Sequence, residues 1–164
     1  SRLESNEFVL NSEPFNFKEQ VLSIVIAQEQ RIDKKHLNIE GLDTLPDITV
    51  NADKDLIHRV VYNLVDNAVK FSNDGGSIKF ASKYDSKNVT FRIENTGRGI
   101  PQSELPYVFE RFYKVDKSRS TNKESTGLGL YIVKTIIKNH GGTISVSSVE
   151  NQFTAFEFTL PINR

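Results

Sequence analysis

The sequence predicts an α/β chain: a two-layer sandwich in which a mixed, mainly antiparallel sheet packs on about three helices. Three observations lead there. Three stretches carry apolar residues at helical spacing, two pairs of stretches alternate apolar with polar residues across short polar turns, and two short strand candidates lie between the first and second helices. A helix must bury its apolar stripe and a strand its apolar face, and layering one on the other satisfies both.

Residues 1–12 are mostly polar around a β-like "EFVL" and read as a linker or domain edge, leaving 13–164 as one domain. Asn16 and Glu19 form a capping-box pattern, and Phe17, Val21, Ile24 and Val25 keep helical spacing as far as about Arg31. "LNIEG" and "DITVNA" are short strand candidates, and Asp53 is placed to cap a second helix that runs to Phe71. "SNDGG" breaks the chain before a hairpin, in which Ile78 and Phe80, then Val89, Phe91 and Ile93, take one face on either side of "DSKN". From 101 to 126 the chain is polar and without periodicity apart from "VFERFYKVD", which predicts a long mobile loop. "GLGLYIVKTIIKNHGG" is a third helix entered through glycines and closed by Gly141, and "TISVSSV" with "FTAFEFTL" makes the closing hairpin.

Composition excludes several function classes. Lysine plus arginine and aspartate plus glutamate number 21 each among 164 residues, so the chain lacks the basic footprint that nucleic acid or an anionic membrane requires. It has no cysteine, hence no disulfide and no thiolate metal site, and no apolar run near the roughly 20 residues that span a bilayer. A reducing, cytoplasmic setting is expected. The chain opens on Ser1 without a signal-peptide pattern and has no methionine, so a longer protein is expected, whose remainder would carry any membrane anchor or sensor.

Three stretches carry possible chemistry. In "YNLVDNAVK", Asn63, Asn67 and Lys70 fall on one helical face, about 20° to 80° to one side of the apolar stripe. They could hold a polar ligand, or the amides could tie down backbone while the lysine reaches solvent. In "IENTGRGIP", Asn95 stands beside Gly97 and Gly99, residues that let backbone approach a flat ligand or simply turn after a strand. In "STGLGLYIVK", Gly127 and Gly129 open a helix whose bare N–H groups suit phosphate oxygens, or permit close helix packing.

In order, Asn-x-x-x-Asn-Ala-x-Lys, Asn-x-Gly-x-Gly-Ile, Phe-x-x-Phe-Tyr and Gly-Leu-Gly-Leu resemble the N, G1, F and G2 boxes of the catalytic, ATP-binding domain of sensor histidine kinases. The likeness runs from about Glu13 to the C-terminus. It implies a Bergerat ATP-binding fold, related to the ATPase domains of gyrase, heat-shock chaperones and mismatch-repair proteins, with ATP and Mg²⁺ as ligands. Carried over by position, it implies Asn63, Asn67 and Lys70 as the catalytic set, with Asn67 on Mg²⁺, Lys70 on phosphate and Phe71 beside adenine. Asn95, Gly97, Gly99 and Ile100 would shape the base pocket, and Thr126, Gly127, Leu128, Gly129 and Leu130 would flank the phosphates. Residues 101–126 would be the ATP lid, packed on closing by Phe109, Phe112 and Tyr113, with Arg111 and Lys114 as γ-phosphate contacts or as solvated charges.

The resemblance implies transfer of the ATP γ-phosphoryl group to a histidine on a dimerisation domain absent from this chain, with a response regulator served indirectly. Other readings are a catalytically inactive nucleotide-binding regulatory module and a serine kinase of the anti-sigma type. Related hydrolysing ATPases carry a glutamate at the place of Asn63, and an amide cannot take a proton from water, so little hydrolysis is expected. His36, His58 and His140 lack the pattern of a phospho-acceptor helix; His36 reads as exposed, His58 as a helix side chain and His140 as favoured by a helix C-terminus. Two departures stand out. Asn95 replaces the usual aspartate, and its amide could turn to suit guanine, which predicts weaker discrimination of ATP over GTP than aspartate would give. Glu124 and Ser125 stand where more glycine is usual, which bears on lid flexibility.

Overall fold

The apolar stripes find sheet faces to cover. A computed structural model describes residues 9–113 and 129–162. These form β1 (Ser12–Asn16), α1 (Phe17–Ala27), α2 (Glu29–Lys34), β2 (Asn38–Glu40), β3 (Thr49–Asp53), α3 (Lys54–Phe71), β4 (Ser77–Tyr84), β5 (Asn88–Thr96), α4 (Gly129–Asn139), β6 (Thr143–Val149) and β7 (Phe153–Pro161). A five-stranded sheet runs β2-β4-β5-β7-β6, parallel between β2 and β4 and antiparallel elsewhere, and β1 pairs with β3 in a separate antiparallel ribbon. The layered, mainly antiparallel α/β architecture expected from the sequence is therefore present.

Alternation decides which residues form the core. Phe80, Phe91 and Phe158 share the inner face of the sheet, and Phe17 of α1 meets Phe91 edge-on at 5.5 Å between ring centroids. Edge-to-face geometry brings the positive rim of one ring to the negative face of the other. α3 lays Ile57, Val60, Val61, Leu64, Val65, Ala68 and Val69 into the same core, a stripe at the helical period. Both predicted N-caps form: Asn16 accepts the Glu19 N–H at 2.9 Å and Asp53 the Leu56 N–H at 3.2 Å.

Three expectations are corrected. The first helix does not run unbroken to Arg31 but ends at Ala27, and after Gln28 a second helix, α2, begins at Glu29. Between Val25 and Ile32 the apolar residues Ile26 and Ala27 are exposed and the buried position is taken by Gln28, so the apolar stripe is interrupted where the two helices part. Of the β-like "EFVL", Val9 is exposed and pairing starts only at Ser12; Glu7 and Phe8 lie outside the described residues. Finally, His140 is no surface cation at a helix end. It is buried, its Nε2 accepts the Asp53 N–H at 3.1 Å, and its Nδ1 donates to the Ile136 carbonyl at 2.9 Å. A donor on one nitrogen and an acceptor on the other require the neutral ring protonated on Nδ1. The helix end itself closes as predicted, with the Gly141 and Gly142 N–H groups bonded to the Lys138 and Ile137 carbonyls.

Candidate functional site

α3 ends at one corner of the sheet, and its last turn meets the end of β5 there. The two are joined by a bridge between Ser72 and Gly97, with Gly97 so close that a Cβ would lie 2.4 Å from the Phe71 carbonyl oxygen. Gly99 has φ +72°, and a Cβ on it would lie 2.5 Å from the Val149 carbonyl. Both glycines are thus required by the close approach of neighbouring backbone. They let the loop after β5 lie flat between α3 and the β6–β7 turn, and so they shape the space beside it.

That space is a partly open cleft. Asn67 and Phe71 of α3 form one wall, Asn95, Arg98, Gly99 and Ile100 another, and Leu130 of α4 with Thr154 and Phe156 of β7 the rest. Most of the lining is apolar, which suits a flat heteroaromatic ring, and a few polar groups are placed to orient it. Asn95 is buried, and its Nδ2 donates to the Thr96 carbonyl at 3.1 Å. The reverse rotamer would set its Oδ1 against that carbonyl oxygen, so the amide presents an acceptor to the cleft.

Thr154 lies directly across the β5–β7 ladder from Asn95. Ser148 donates to the Phe153 carbonyl at 2.6 Å and accepts the Ile100 N–H at 2.8 Å, so the hydroxyl contact with Thr154 at 3.2 Å takes its proton from Thr154. A second oxygen with free lone pairs therefore stands beside Asn95. Arg98, Thr154 and Phe156 were not legible as site residues in the sequence. The alternation of β7 marks Thr154 and Phe156 as inward-facing, but only the strand pairing brings them to Asn95.

The other predicted residues divide. Asn63 sits one turn ahead of Asn67, partly buried, and Lys70 is partly exposed with its ammonium 6.0 Å from the Phe71 ring centroid; neither lines the cleft itself. Phe109 packs edge-on against Phe156 at 5.9 Å and so buttresses the cleft from behind. Arg111 lies over the Tyr131 ring at 4.8 Å and donates to its hydroxyl at 2.9 Å, which puts it at the first turn of α4. Phe112 is 65% exposed at φ +65°. The Tyr113 hydroxyl donates to Glu104, and burial, with that bond, raises its pKa.

Residues 101–113 are also more ordered than the sequence suggested. Successive turns link Pro101 to Glu104, Glu104 to Tyr107, Tyr107 to Glu110 and Glu110 to Tyr113, and Val108 is buried. Lys114, Thr126, Gly127 and Leu128, together with Glu124 and Ser125, lie outside the described residues. At Gly129 a Cβ would meet no described atom within 4 Å, so packing between the described elements does not demand glycine there.

Residues 52–164, which hold this whole cleft, match the model of the histidine kinase-, DNA gyrase B- and HSP90-like ATPases. The chain belongs to that family. Within this ATPase family, its sequence is 33% identical over 165 residues to the sensor histidine kinase WalK of Bacillus subtilis, covering 98% of this chain and 26% of that protein. It is 35% identical over 164 residues to the heme sensor protein HssS of Staphylococcus aureus, covering 99% of this chain and 34% of the relative. The chain thus spans about a quarter to a third of these curated relatives. Its fold superposes on the catalytic domain of histidine kinase ThkA with a TM-score of 0.78 at 29% identity, covering 93% of this chain and 96% of that one. ShkA, solved full-length with AMPPNP, matches with a TM-score of 0.83 at 25% identity, over 98% of this chain and 33% of that one. This is the catalytic-domain architecture of sensor histidine kinases.

Proposed function

We propose that the domain binds ATP with its purine in the cleft and transfers the γ-phosphoryl group to a histidine on a dimerisation domain of the same full-length protein. The observation that carries this is the meeting of Asn67 and Phe71 from α3 with Asn95 from β5, Ile100 from the loop after it and Leu130 from α4 around one mainly apolar cleft. Phe71 and Ile100 supply flat apolar contact, and Asn95 accepts from the adenine 6-amino group. Phosphates leaving the cleft past Leu130 would meet the N-terminal end of α4, where backbone N–H groups and the helix dipole favour anions.

Asn67 supplies a side-chain oxygen at the cleft, and among the described residues no group of three or more His, Asp or Glu could hold a metal. That donor set fits Mg²⁺, which keeps most of its waters and takes the rest of its ligands from phosphate. When bound, the ion would neutralise phosphate charge. Lys70, next to Phe71, would serve the phosphates as a second cation.

Asn63 explains why transfer is favoured over hydrolysis. Its amide has no proton affinity to activate water, whereas an imidazole acceptor brings its own lone pair. That nitrogen attacks the γ-phosphorus as the bond to the β–γ bridging oxygen breaks, releasing ADP, and the imidazole gives its N–H proton to solvent. We assign the acceptor role to none of the chain's own histidines: His140 is buried with its ring bonded to Asp53 and Ile136, and His36 and His58 lack the sequence pattern of a phospho-acceptor helix.

The inactive-module and serine-kinase readings are not favoured, since WalK is a sensor histidine kinase and ThkA a histidine kinase. ThkA has been crystallised with the response regulator TrrA, and we assign this chain a response regulator as its downstream partner. The described residues contain no helix long and apolar enough to cross a membrane; a cytoplasmic position is part of the same proposal. The deciding experiment mixes the domain with the histidine-bearing helical fragment of its own protein and labelled MgATP. Acid-labile phosphate on the fragment is expected. Binding without transfer, or an acid-stable product, refutes the histidine kinase reading.

A further inference from the structure

The last turn of a helix leaves its carbonyls without partners, and in α3 that turn carries Lys70 and Phe71. The Ala68 carbonyl is satisfied locally by the Ser72 N–H at 3.1 Å and by the Ser72 hydroxyl. The next ones are met from a distant segment: the Lys35 ammonium donates to the carbonyls of Val69 at 2.8 Å, Lys70 at 2.9 Å and Ser72 at 2.9 Å. All three of its N–H donors are used, and the positive charge sits at the negative end of the helix dipole.

The backbone behind that ammonium is fixed. α2 closes with the His36 N–H on the Asp33 carbonyl at 3.1 Å and the Leu37 N–H on the Ile32 carbonyl at 3.0 Å, with His36 at φ +57° and Ile32 and Leu37 both buried. Lys35 also accepts the Gly75 N–H at 2.8 Å, and the Asn38 N–H donates to the Gly76 carbonyl at 2.9 Å. Its side chain and backbone therefore hold both sides of the α3–β4 turn. That turn touches the second wall of the cleft, since Ser72 bridges Gly97 and Asn73 accepts the Thr96 hydroxyl at 2.8 Å. Burial, and after it the nearby Arg31, lower the Lys35 pKa, as fits an ammonium whose water has been replaced by carbonyls.

We infer that Lys35 is a positioning residue for the nucleotide: by closing the last turn of α3 it sets Phe71 against the cleft wall that holds Asn95 and Gly99, with Lys70 beside it. It touches no ligand and acts through the carbonyls of 69, 70 and 72. The inference rests on the nucleotide reading of the cleft.

The test is Lys35→Met, which keeps most of the side-chain length and removes the charge and donors. It is measured by calorimetric titration with MgATP at a temperature where the variant is fully folded. Affinity is expected to fall about tenfold, the scale of lost charge-assisted hydrogen bonds. In a Lys70→Met, Phe71→Ala background, where the positioned groups are already gone, the same change is expected to cost less than about twofold. Hydrogen exchange is expected to quicken at residues 69–76 and to stay unchanged in the β6–β7 hairpin. No loss of affinity, an equal loss in both backgrounds, or unchanged exchange at 69–76 overturns the role of Lys35 while leaving nucleotide binding intact. Failure of the unaltered domain to bind MgATP sinks the nucleotide reading itself, and this inference with it.

Discussion

His140 Nε2 accepts the backbone N–H of Asp53 at 3.1 Å, so the C-terminal end of α4 is tied to the N-terminal start of α3. The same Asp53 uses one carboxylate oxygen for the Leu56 N–H and the other for the Asn11 N–H at 3.0 Å. The two helices that carry opposite walls of the cleft are thus locked through one buried imidazole. His140→Ala leaves the Asp53 N–H buried and unpaired and opens a cavity, and is expected to cost about 2–4 kcal/mol of stability. Denaturant unfolding checks this; a loss below about 1 kcal/mol would contradict the assigned ring bonds.

Asn95 bears on base choice. Its Nδ2 bond to Thr96 holds the rotamer whose oxygen accepts from adenine, and turning it to suit guanine sets two oxygens face to face. The domain is expected to prefer ATP over GTP. Asn95→Asp adds repulsion of the guanine 6-oxygen and is expected to widen the preference by no more than about tenfold. Titration of both proteins with both nucleotides decides, and identical ratios would remove Asn95 from base selection.

His36 occupies a position where glycine is the usual residue, at φ +57° in the turn that closes α2. Its contact with Asp74, 3.6 Å and exposed on both sides, contributes little. His36→Gly relieves the left-handed strain and is expected to stabilise the domain by about 1 kcal/mol. The denaturant midpoint should rise with an unchanged slope.

Tyr113 predicts an alkaline effect. Burial first, and the bond to Glu104 next, raise its pKa in the folded state, so above the pH near 10 at which a free phenol ionises the folded protein holds a proton that the unfolded chain has lost. Its contribution to stability is complete below about pH 10 and is lost as pH rises beyond that. In a spectrophotometric titration of the five tyrosines, one should ionise late, and Tyr113→Phe should abolish that late component. Persistence of the late component in the variant would assign it elsewhere.

The sequence by itself determined the elements, their order and the family. Apolar period, N-cap chemistry at Asn16 and Asp53, and the turn residues "DSKN" and "NHGG" are local signals, each resting on residues a few positions apart. The box residues were visible in the same way, as short patterns in a fixed order. What only the tertiary structure decided are the relations between residues far apart in the chain: Thr154 across the ladder from Asn95, Arg111 on Tyr131, Lys35 on the end of α3, and His140 turned inward as a neutral link rather than outward as a cation. The break at Gln28 belongs with them, because a helix continues only where the core gives its next apolar residue something to cover. Those relations depend on which surfaces meet after folding, and burial and hydrogen-bond direction are fixed only once they have met.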